Sequence, residues 1–125
     1  MPRKIAYWTA TGLASAALLM SLSYLTGSEQ VVSGFAKAGY PQHLRIVLGI
    51  AKPIAAIVLL LPGFALLKEW AYAGAAFAWS MAFIAHWQAG DGMEAIMALV
   101  LLIFLIVSYL TRPASRRPTS ATVPA

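Results

Sequence analysis

The sequence contains no cysteine and few charged residues. The absence of cysteine from all 125 residues excludes a disulfide framework, thiol redox chemistry, and zinc or iron–sulfur sites with thiolate ligands. Only 10% of the residues are charged and 61% are hydrophobic, whereas a soluble domain carries about 25% charged residues. A water-soluble fold needs a polar exterior that this composition cannot supply. The mean hydropathy of +0.77 therefore predicts a protein whose surface is solvated by lipid.

Acidic residues are scarce, with four Asp and Glu against nine Lys and Arg and a formal net charge of +5. In a soluble protein this excess would suggest nucleic-acid binding. Here the basic residues cluster at the ends of apolar runs, which is typical of membrane helices flanked by positive residues on their cytoplasmic side. The predicted partner is therefore the lipid bilayer and not a nucleic acid.

Four apolar stretches dominate the chain. A helix of about 20 residues, rising about 1.5 Å per residue, crosses a hydrocarbon core of about 30 Å. Residues 1–112 are therefore predicted to form an all-α, integral membrane four-helix bundle, with spans at about 5–25, 41–61, 70–87 and 94–110. The first stretch also has features of a cleaved secretory signal. It is longer than a typical h-region of about 7–15 residues, and no A-x-A site directly follows it, so a span is the preferred interpretation.

Polar segments separate and follow the predicted spans. Residues 26–40 are interpreted as a polar connection close to the membrane interface, and Pro62 and Gly63 end the second span. Residues 113–125 consist mainly of Pro, Ser, Thr, Ala and Arg. A segment of this composition buries too little apolar area to offset the entropy lost on ordering. They are predicted to form a disordered cytoplasmic tail.

Basic residues near the ends of the spans predict the orientation. With both termini in the cytoplasm, the outer side holds two basic residues, Lys37 and Arg45, and the cytoplasmic side holds six. The positive-inside rule therefore favours an N-in and C-in arrangement. In this arrangement four residues lie near the outer mouth of the bundle: His43, His86, Asp91 and Glu94. The six cytoplasmic basic residues are Arg3, Lys4, Lys68, Arg112, Arg116 and Arg117.

Lys52 lies in the middle of the second predicted span, where a charge costs about 2.5–3.5 kcal/mol on insertion scales. It shares a helical stripe with small residues, a face suited to contact with another helix, so its ammonium is expected to point into the bundle. The groups that can compensate it are Tyr24, Ser21 and Glu94, of which Glu94 is favoured. Two interpretations remain open: a ligand or proton site, and a lysine that snorkels to headgroups or pairs structurally.

His86 and Asp91 are close enough in sequence to form a hydrogen bond across a turn, as a histidine oriented by a carboxylate. Together with Lys52 they are the candidate catalytic residues. The simpler interpretation is an interfacial histidine at a helix end, because no nucleophile accompanies it. His43 and Glu94 complete a set that is chemically able to bind a metal. The set has no i, i+4 or H-x-x-H spacing, so no metal site is assigned.

Three segments carry a family resemblance: GYPQHLRIVLGIAKPIAAIVLLLPGF, LKEWAYAGAAF and AHWQAGDG. They resemble the DoxX-like family of small bacterial four-helix membrane proteins, and the resemblance covers most of the chain. Its most specific part is the run KEWAYAG at 68–74, followed at the far end of the same helix by His86, Gly90 and Asp91. Lys52 falls where many family members carry a lysine. The resemblance implies a multi-pass protein of the bacterial cytoplasmic membrane.

The chain departs from the family pattern in the third span. Relatives often carry an acidic residue where this chain has Ala78 and Trp79, so proton chemistry through that carboxylate is not expected here. The family's name comes from a subunit linked to thiosulfate oxidation with quinone as acceptor. More distant relatives resemble helpers of membrane-protein assembly.

The first hypothesis for function is a small subunit or ligand-binding module of a quinone-linked oxidoreductase. Lys52, Trp79 and His86 would line a pocket open to the outer leaflet, with Tyr24 and Glu94 beside the lysine. A hydrogen bond from Lys52 or His86 to a quinone carbonyl is the expected mode of binding.

Two further hypotheses compete with it. One is a non-catalytic assembly or interaction protein that contacts a membrane-protein partner or a second copy through a ridge of small residues, Gly74, Ala78 and Ala82. The other is a small membrane enzyme that acts on a lipophilic substrate by acid and base catalysis.

Overall fold

The structure, a computed structural model, describes residues 2–118. The regular secondary structure of this part of the chain is all helical, as predicted, and contains no strand. The first helix continues directly into a 3₁₀ segment, Met20–Thr26, and a short 3₁₀ turn, Ala114–Arg116, follows the last helix. The five α-helices are α1 (Pro2–Leu19), α2 (Glu29–Lys37), α3 (Gln42–Leu60), α4 (Ala65–Gln88) and α5 (Gly92–Leu110).

Three of the four predicted spans have the length and hydropathy of a membrane-crossing helix: Pro2–Thr26, Gln42–Leu60 and Gly92–Leu110. The remaining predicted span, 70–87, lies within α4, which is 24 residues long. This helix carries Lys68, Glu69 and several Trp, Tyr and His residues in place of aliphatic ones, which lowers its hydropathy. Its role as a span stays a prediction.

The predicted connection at 26–40 contains a helix, α2, that the sequence analysis did not anticipate. Ser28 caps this helix, because its Oγ accepts a hydrogen bond from the Val31 N–H at 3.4 Å. Glu29 in the first turn and Lys37 in the last turn complement the helix dipole. Gly39, with a φ of +81°, lets the chain turn after the helix into α3.

The four long helices enclose one core. Helix α1 packs against α3 and α5, and α4 packs against the same two helices. Alanines at the contacts allow the backbones to approach closely, as is typical of helices in lipid. The buried core cluster consists of Ala14, Leu18, Ala56, Leu59, Tyr72, Ala75, Trp79 and Leu105.

A chain of buried hydroxyl groups ties three helices together within this core. Ser108 Oγ on α5 lies 2.5 Å from Thr11 Oγ1 on α1 and 2.6 Å from the Tyr72 hydroxyl on α4. Thr11 and Ser108 are both fully buried. Because lipid offers no hydrogen bonds, these groups satisfy one another.

Two buried cations cap the C-terminal end of α3. Arg116 donates hydrogen bonds to the Leu59 and Leu60 carbonyls, at 2.8 and 3.3 Å. Lys68 Nζ donates to the Leu61 carbonyl and, at 2.6 Å, to the Gly63 carbonyl. The last carbonyls of a helix have no partner within it, and a cation near them also interacts favourably with the helix dipole.

The Arg116 contact places the first residues after α5 against the bundle. Residues 113–118 fold back across the bundle, and Arg116 is only 8% exposed, with its guanidinium 4.7 Å from the centre of the Trp8 ring. Disorder of the segment 113–125 stays a prediction. The rest of the predicted tail lies outside the described residues.

Three arginine guanidinium groups lie near the end of α5. Arg3 donates to the Leu110 and Arg112 carbonyls at 3.3 and 3.5 Å, and Arg117 donates to the Arg112 carbonyl at 2.9 Å. Arg112 itself forms an ion pair with Glu69. The start of α1, the α3–α4 turn and the end of α5 therefore lie together, at what we call the basic end.

Replacing Ser108 by alanine is expected to destabilise the fold. The change leaves two hydroxyl groups without their partner in an apolar interior, so the free energy of unfolding in detergent should fall by about 1–2 kcal/mol. Denaturant unfolding followed by circular dichroism measures this difference. Ser23→Ala is the matched control, since Ser23 is exposed in the 3₁₀ segment. Equal stability of the two variants would show that the hydroxyl chain contributes nothing.

Candidate functional site

A cavity of about 260 Å³ lies at the end of the bundle opposite the basic end. Its walls come from the 3₁₀ segment, α2, α3, α4 and the turn that follows α4, and most of the lining is apolar. The polar and aromatic groups that line it are Tyr24, Gln30, Phe35, Lys37, Tyr40, Lys52, His86 and Asp91. This is the place where the described residues bring titratable side chains and an apolar space together.

Lys52 forms part of the deep wall and is only 9% exposed. Its ammonium lies 5.2 Å from the centre of the Tyr24 ring, so the aromatic face partly offsets the positive charge. Lys52 takes part in none of the salt bridges within residues 2–118. A buried cation beside an apolar space, with an aromatic ring as its neighbour, provides a hydrogen-bond donor for a ligand.

Glu94, the partner that the sequence analysis favoured for Lys52, is placed elsewhere. It lies exposed in the first turn of α5 and is absent from the cavity lining. Helix α5 packs against α1 and α4, so its first turn does not approach the middle of α3. Of the three partners considered for Lys52, the structure brings Tyr24 into contact.

Gly49 allows the 3₁₀ segment to approach α3 at this point. A Cβ atom on Gly49 would lie 2.8 Å from Leu25 Cδ2 and 3.2 Å from Tyr24 Cβ, both closer than ordinary van der Waals contact. The missing side chain, one helical turn before Lys52, therefore lets the Tyr24 ring reach the ammonium. Arg45 holds the same segment by donating a hydrogen bond to the Tyr24 carbonyl.

Asp91 connects two elements at the mouth of the cavity. Its Oδ1 lies 3.5 Å from Lys37 Nζ on α2, and its Oδ2 lies 3.8 Å from His86 Nδ1 on α4. All three side chains are at least partly exposed to solvent, so these pairs contribute little stability by themselves. The His86–Asp91 contact is longer than a hydrogen bond, so the hydrogen bond predicted for this pair is not formed, whereas the Lys37–Asp91 contact joins the end of α2 to the turn after α4.

Helix α2 covers one side of the cavity although none of its residues is buried. Phe35 packs edge-on against Tyr24, with ring centres 5.1 Å apart, and lies 6.4 Å from the Tyr40 ring. The Tyr40 hydroxyl donates a hydrogen bond to the Met81 carbonyl at 3.1 Å. Side chains from α2 and its flanking turn thus join the 3₁₀ segment to α4 across the cavity.

Four of the residues selected from sequence meet at this cavity: Tyr24, Lys52, His86 and Asp91. Trp79 does not join them, because it is 3% exposed and packs in the core. The contribution of α2 and Tyr40 was missed. The capping serine at 28 and the apolar residues spaced along 31–35 were the signals that would have indicated this helix.

The structure also places the candidates for a metal site. Among residues 2–118, no group of three His, Asp or Glu side chains lies close enough to share a metal ion.

The small-residue ridge predicted for helix contact lies partly at the cavity, since Ala78 and Ala82 line it while Gly74 is exposed. At those two positions the small side chains leave room for the cavity.

Comparison with known proteins identifies a family. The model of the DoxX-like family matches residues 8–108, a range that contains every residue lining the cavity. No curated protein and no solved structure matches the chain.

Gly49→Ala tests the close approach that positions Tyr24. Because the added methyl group overpacks the contact with the 3₁₀ segment, the variant is expected to unfold about 1–3 kcal/mol more easily than Gly12→Ala. Gly12 is the matched control, since it is also helical and a Cβ there would meet nothing within 4 Å. Thermal unfolding of the two purified variants provides the comparison. Equal stability would contradict the proposed role of Gly49.

Proposed function

This chain belongs to the DoxX-like family of membrane proteins, and from that premise we propose that it binds a lipophilic molecule in the cavity beside Lys52. The proposed ligand is a quinone, and the proposed role is a small subunit or ligand-binding module of a quinone-linked oxidoreductase. We place the protein in the bacterial cytoplasmic membrane with four crossings and both termini in the cytoplasm.

The proposed topology rests on the packing of α4. This helix packs against α3 and α5, two of the three helices that have the hydropathy of spans. Its ends carry Trp70 and Trp87, which are 65% and 67% exposed. Tryptophan favours the headgroup level on both sides of a bilayer. With α4 as a span, the basic end lies in the cytoplasm and the cavity faces the outer leaflet.

The observation that carries the proposal is the position of Lys52, a residue only 9% exposed, at the wall of an apolar cavity. A charge at membrane depth is costly and is usually compensated or functional. Within the described residues its compensation is an aromatic ring and not a carboxylate. A carbonyl oxygen of a bound ligand would accept a hydrogen bond from this ammonium and provide the missing compensation.

A quinone fits the chemistry of the lining. Its ring suits an apolar space bounded by aromatic side chains such as Phe35 and Tyr24, and its carbonyl groups accept hydrogen bonds. Lys52 would donate to one carbonyl, and His86, which lies near Asp91, supplies a second polar group at the mouth. A bound quinone would supply the redox chemistry, while the chain would bind and orient it and exclude water.

The assembly and enzyme hypotheses have weaker support. The ridge that would serve as a helix contact is interrupted, because two of its three residues line the cavity. The His86–Asp91 pair lies at 3.8 Å without an adjoining nucleophile. Neither arrangement accounts for the burial of Lys52.

Lys52→Met is the direct test of the binding site. Loss of a hydrogen bond from a charged donor should weaken binding of a short-chain quinone about tenfold or more. The fold should be equally or more stable, because the substitution removes a buried charge and keeps an apolar side chain of similar length. Quenching of tryptophan fluorescence measures binding, and thermal unfolding measures stability.

Lys4→Met is the matched control, since Lys4 is exposed on α1 at the basic end. Its quinone affinity should equal that of the wild-type protein. The proposal is wrong if wild-type protein binds no quinone, or if Lys52→Met binds it as tightly as the control.

The topology is testable because the chain has no cysteine. Single cysteines at Ser33 on α2 and at Ser115 after α5 replace exposed side chains. An impermeant maleimide applied to spheroplasts should label Ser33→Cys, and should label Ser115→Cys only after lysis, because three crossings, α3, α4 and α5, put the two sites on opposite sides. Labelling of both in intact spheroplasts would mean that α4 does not cross the bilayer.

A further inference from the structure

We propose a second binding site, for an anionic phospholipid, at the basic end between α4 and α5. The phosphate would lie on the guanidinium groups gathered at the end of α5, and an acyl chain would lie in the adjoining groove between the two helices. This site is separate from the cavity beside Lys52; it rests on the proposed crossing of the bilayer by α4, but not on the ligand proposed for that cavity.

The positive charge at the end of α5 exceeds its local compensation. Arg3 and Arg117 both donate to the Arg112 carbonyl, two residues beyond the end of α5, so three guanidinium groups lie beside this end of the helix. Arg112 is paired with Glu69, whereas Arg3 and Arg117 form no salt bridge within residues 2–118. Both side chains are on exposed residues. Each retains N–H groups that can bind a phosphate oxygen.

An apolar groove of about 270 Å³ begins beside this cluster. At its polar end the Arg112 guanidinium lies 3.7 Å from the centre of the Tyr109 ring, and Tyr109 meets the Tyr72 ring edge-on with centres 5.1 Å apart. The groove is open on the face where α4 and α5 meet. It is lined by Glu69, Tyr72, Ala73, Ala76, Leu105, Ile106 and Tyr109.

The groove owes its depth to small side chains on α4. Ala73 and Ala76 face larger aliphatic residues, Leu105 and Ile106, on α5. A lipid-facing surface without such a recess would offer an acyl chain no more contact than another lipid does. A recess that continues from a basic cluster instead combines chain packing with charge.

Charge complementarity selects a phospholipid over another helix as the occupant. A transmembrane helix filling the groove would bring its apolar surface close to Arg3 and Arg117, which form no salt bridge within residues 2–118, whereas a lipid places its phosphate there. A net negative headgroup is favoured over a zwitterionic one, because the choline cation of a zwitterionic lipid would be repelled by the excess guanidinium charge. Basic pockets between membrane helices bind anionic headgroups in this manner.

Binding can be measured by native mass spectrometry and thermal unfolding of the full-length protein in detergent. Added phosphatidylglycerol should bind and raise the unfolding midpoint more than phosphatidylcholine with the same acyl chains. Arg3→Gln and Arg117→Gln should each weaken phosphatidylglycerol binding about fivefold, which corresponds to about 1 kcal/mol for one cation. Lys4→Gln removes the same charge from the same end but makes no contact with the α5 terminus, and should have less effect.

The groove has its own test. Ala76→Leu and Ala73→Leu fill the recess and should weaken lipid binding, while Ala51→Leu, at an exposed position on α3, should not. Inorganic phosphate alone should leave the midpoint unchanged, because it cannot use the groove. The proposal is overturned by equal binding of the two lipids or by arginine variants that match Lys4→Gln. It is also overturned if both alanine variants are without effect, or if inorganic phosphate reproduces the shift.

Discussion

The layout of the bundle depends on how the last carbonyl groups of its helices are satisfied. A helix leaves its final carbonyls without internal partners, and in lipid no water replaces them. In this chain Arg116 donates to the last carbonyls of α3 and Arg3 donates to the last carbonyl of α5, while Lys68 and Arg117 donate to carbonyls just beyond these helices. The donors come from distant parts of the sequence, so these hydrogen bonds hold the start of α1 and residues 113–118 at the basic end.

The cavity lies at the opposite end of the bundle. There the first helix tightens into a 3₁₀ segment, and Gly49 allows the segment to lie close against α3. Helix α2 adds a cover whose side chains pack against neighbouring rings without being buried. The end with capped carbonyls is closed by basic side chains, whereas the other end combines an apolar space with a few polar groups. An apolar cavity with a few polar groups is typical of ligand-binding sites, which supports the proposal of a ligand at the end opposite the basic end.

Lys52 relates the energetics of the fold to its proposed function. Within residues 2–118 its ammonium has an aromatic neighbour but no salt bridge, so its burial is only partly compensated by the protein itself. By contrast, Arg112 at the basic end has both a carboxylate and an aromatic ring. The two cations therefore differ in whether they still lack a hydrogen-bond acceptor. A hydrogen-bond acceptor in the cavity would stabilise Lys52, while Arg112 is already satisfied.

Hydropathy and residue spacing were sufficient to predict the all-α class, the approximate bounds of the long helices and the unusual position of Lys52, because these are local properties of a lipid-embedded chain. They also selected Tyr24, His86 and Asp91, which lie near the predicted ends of spans. Tertiary structure alone decided that Tyr24 and not Glu94 meets Lys52, and that Trp79 packs in the core. It also decided that Arg116 caps α3. These outcomes depend on which helices are neighbours and how closely they approach, and periodicity along a single helix carries no information about either.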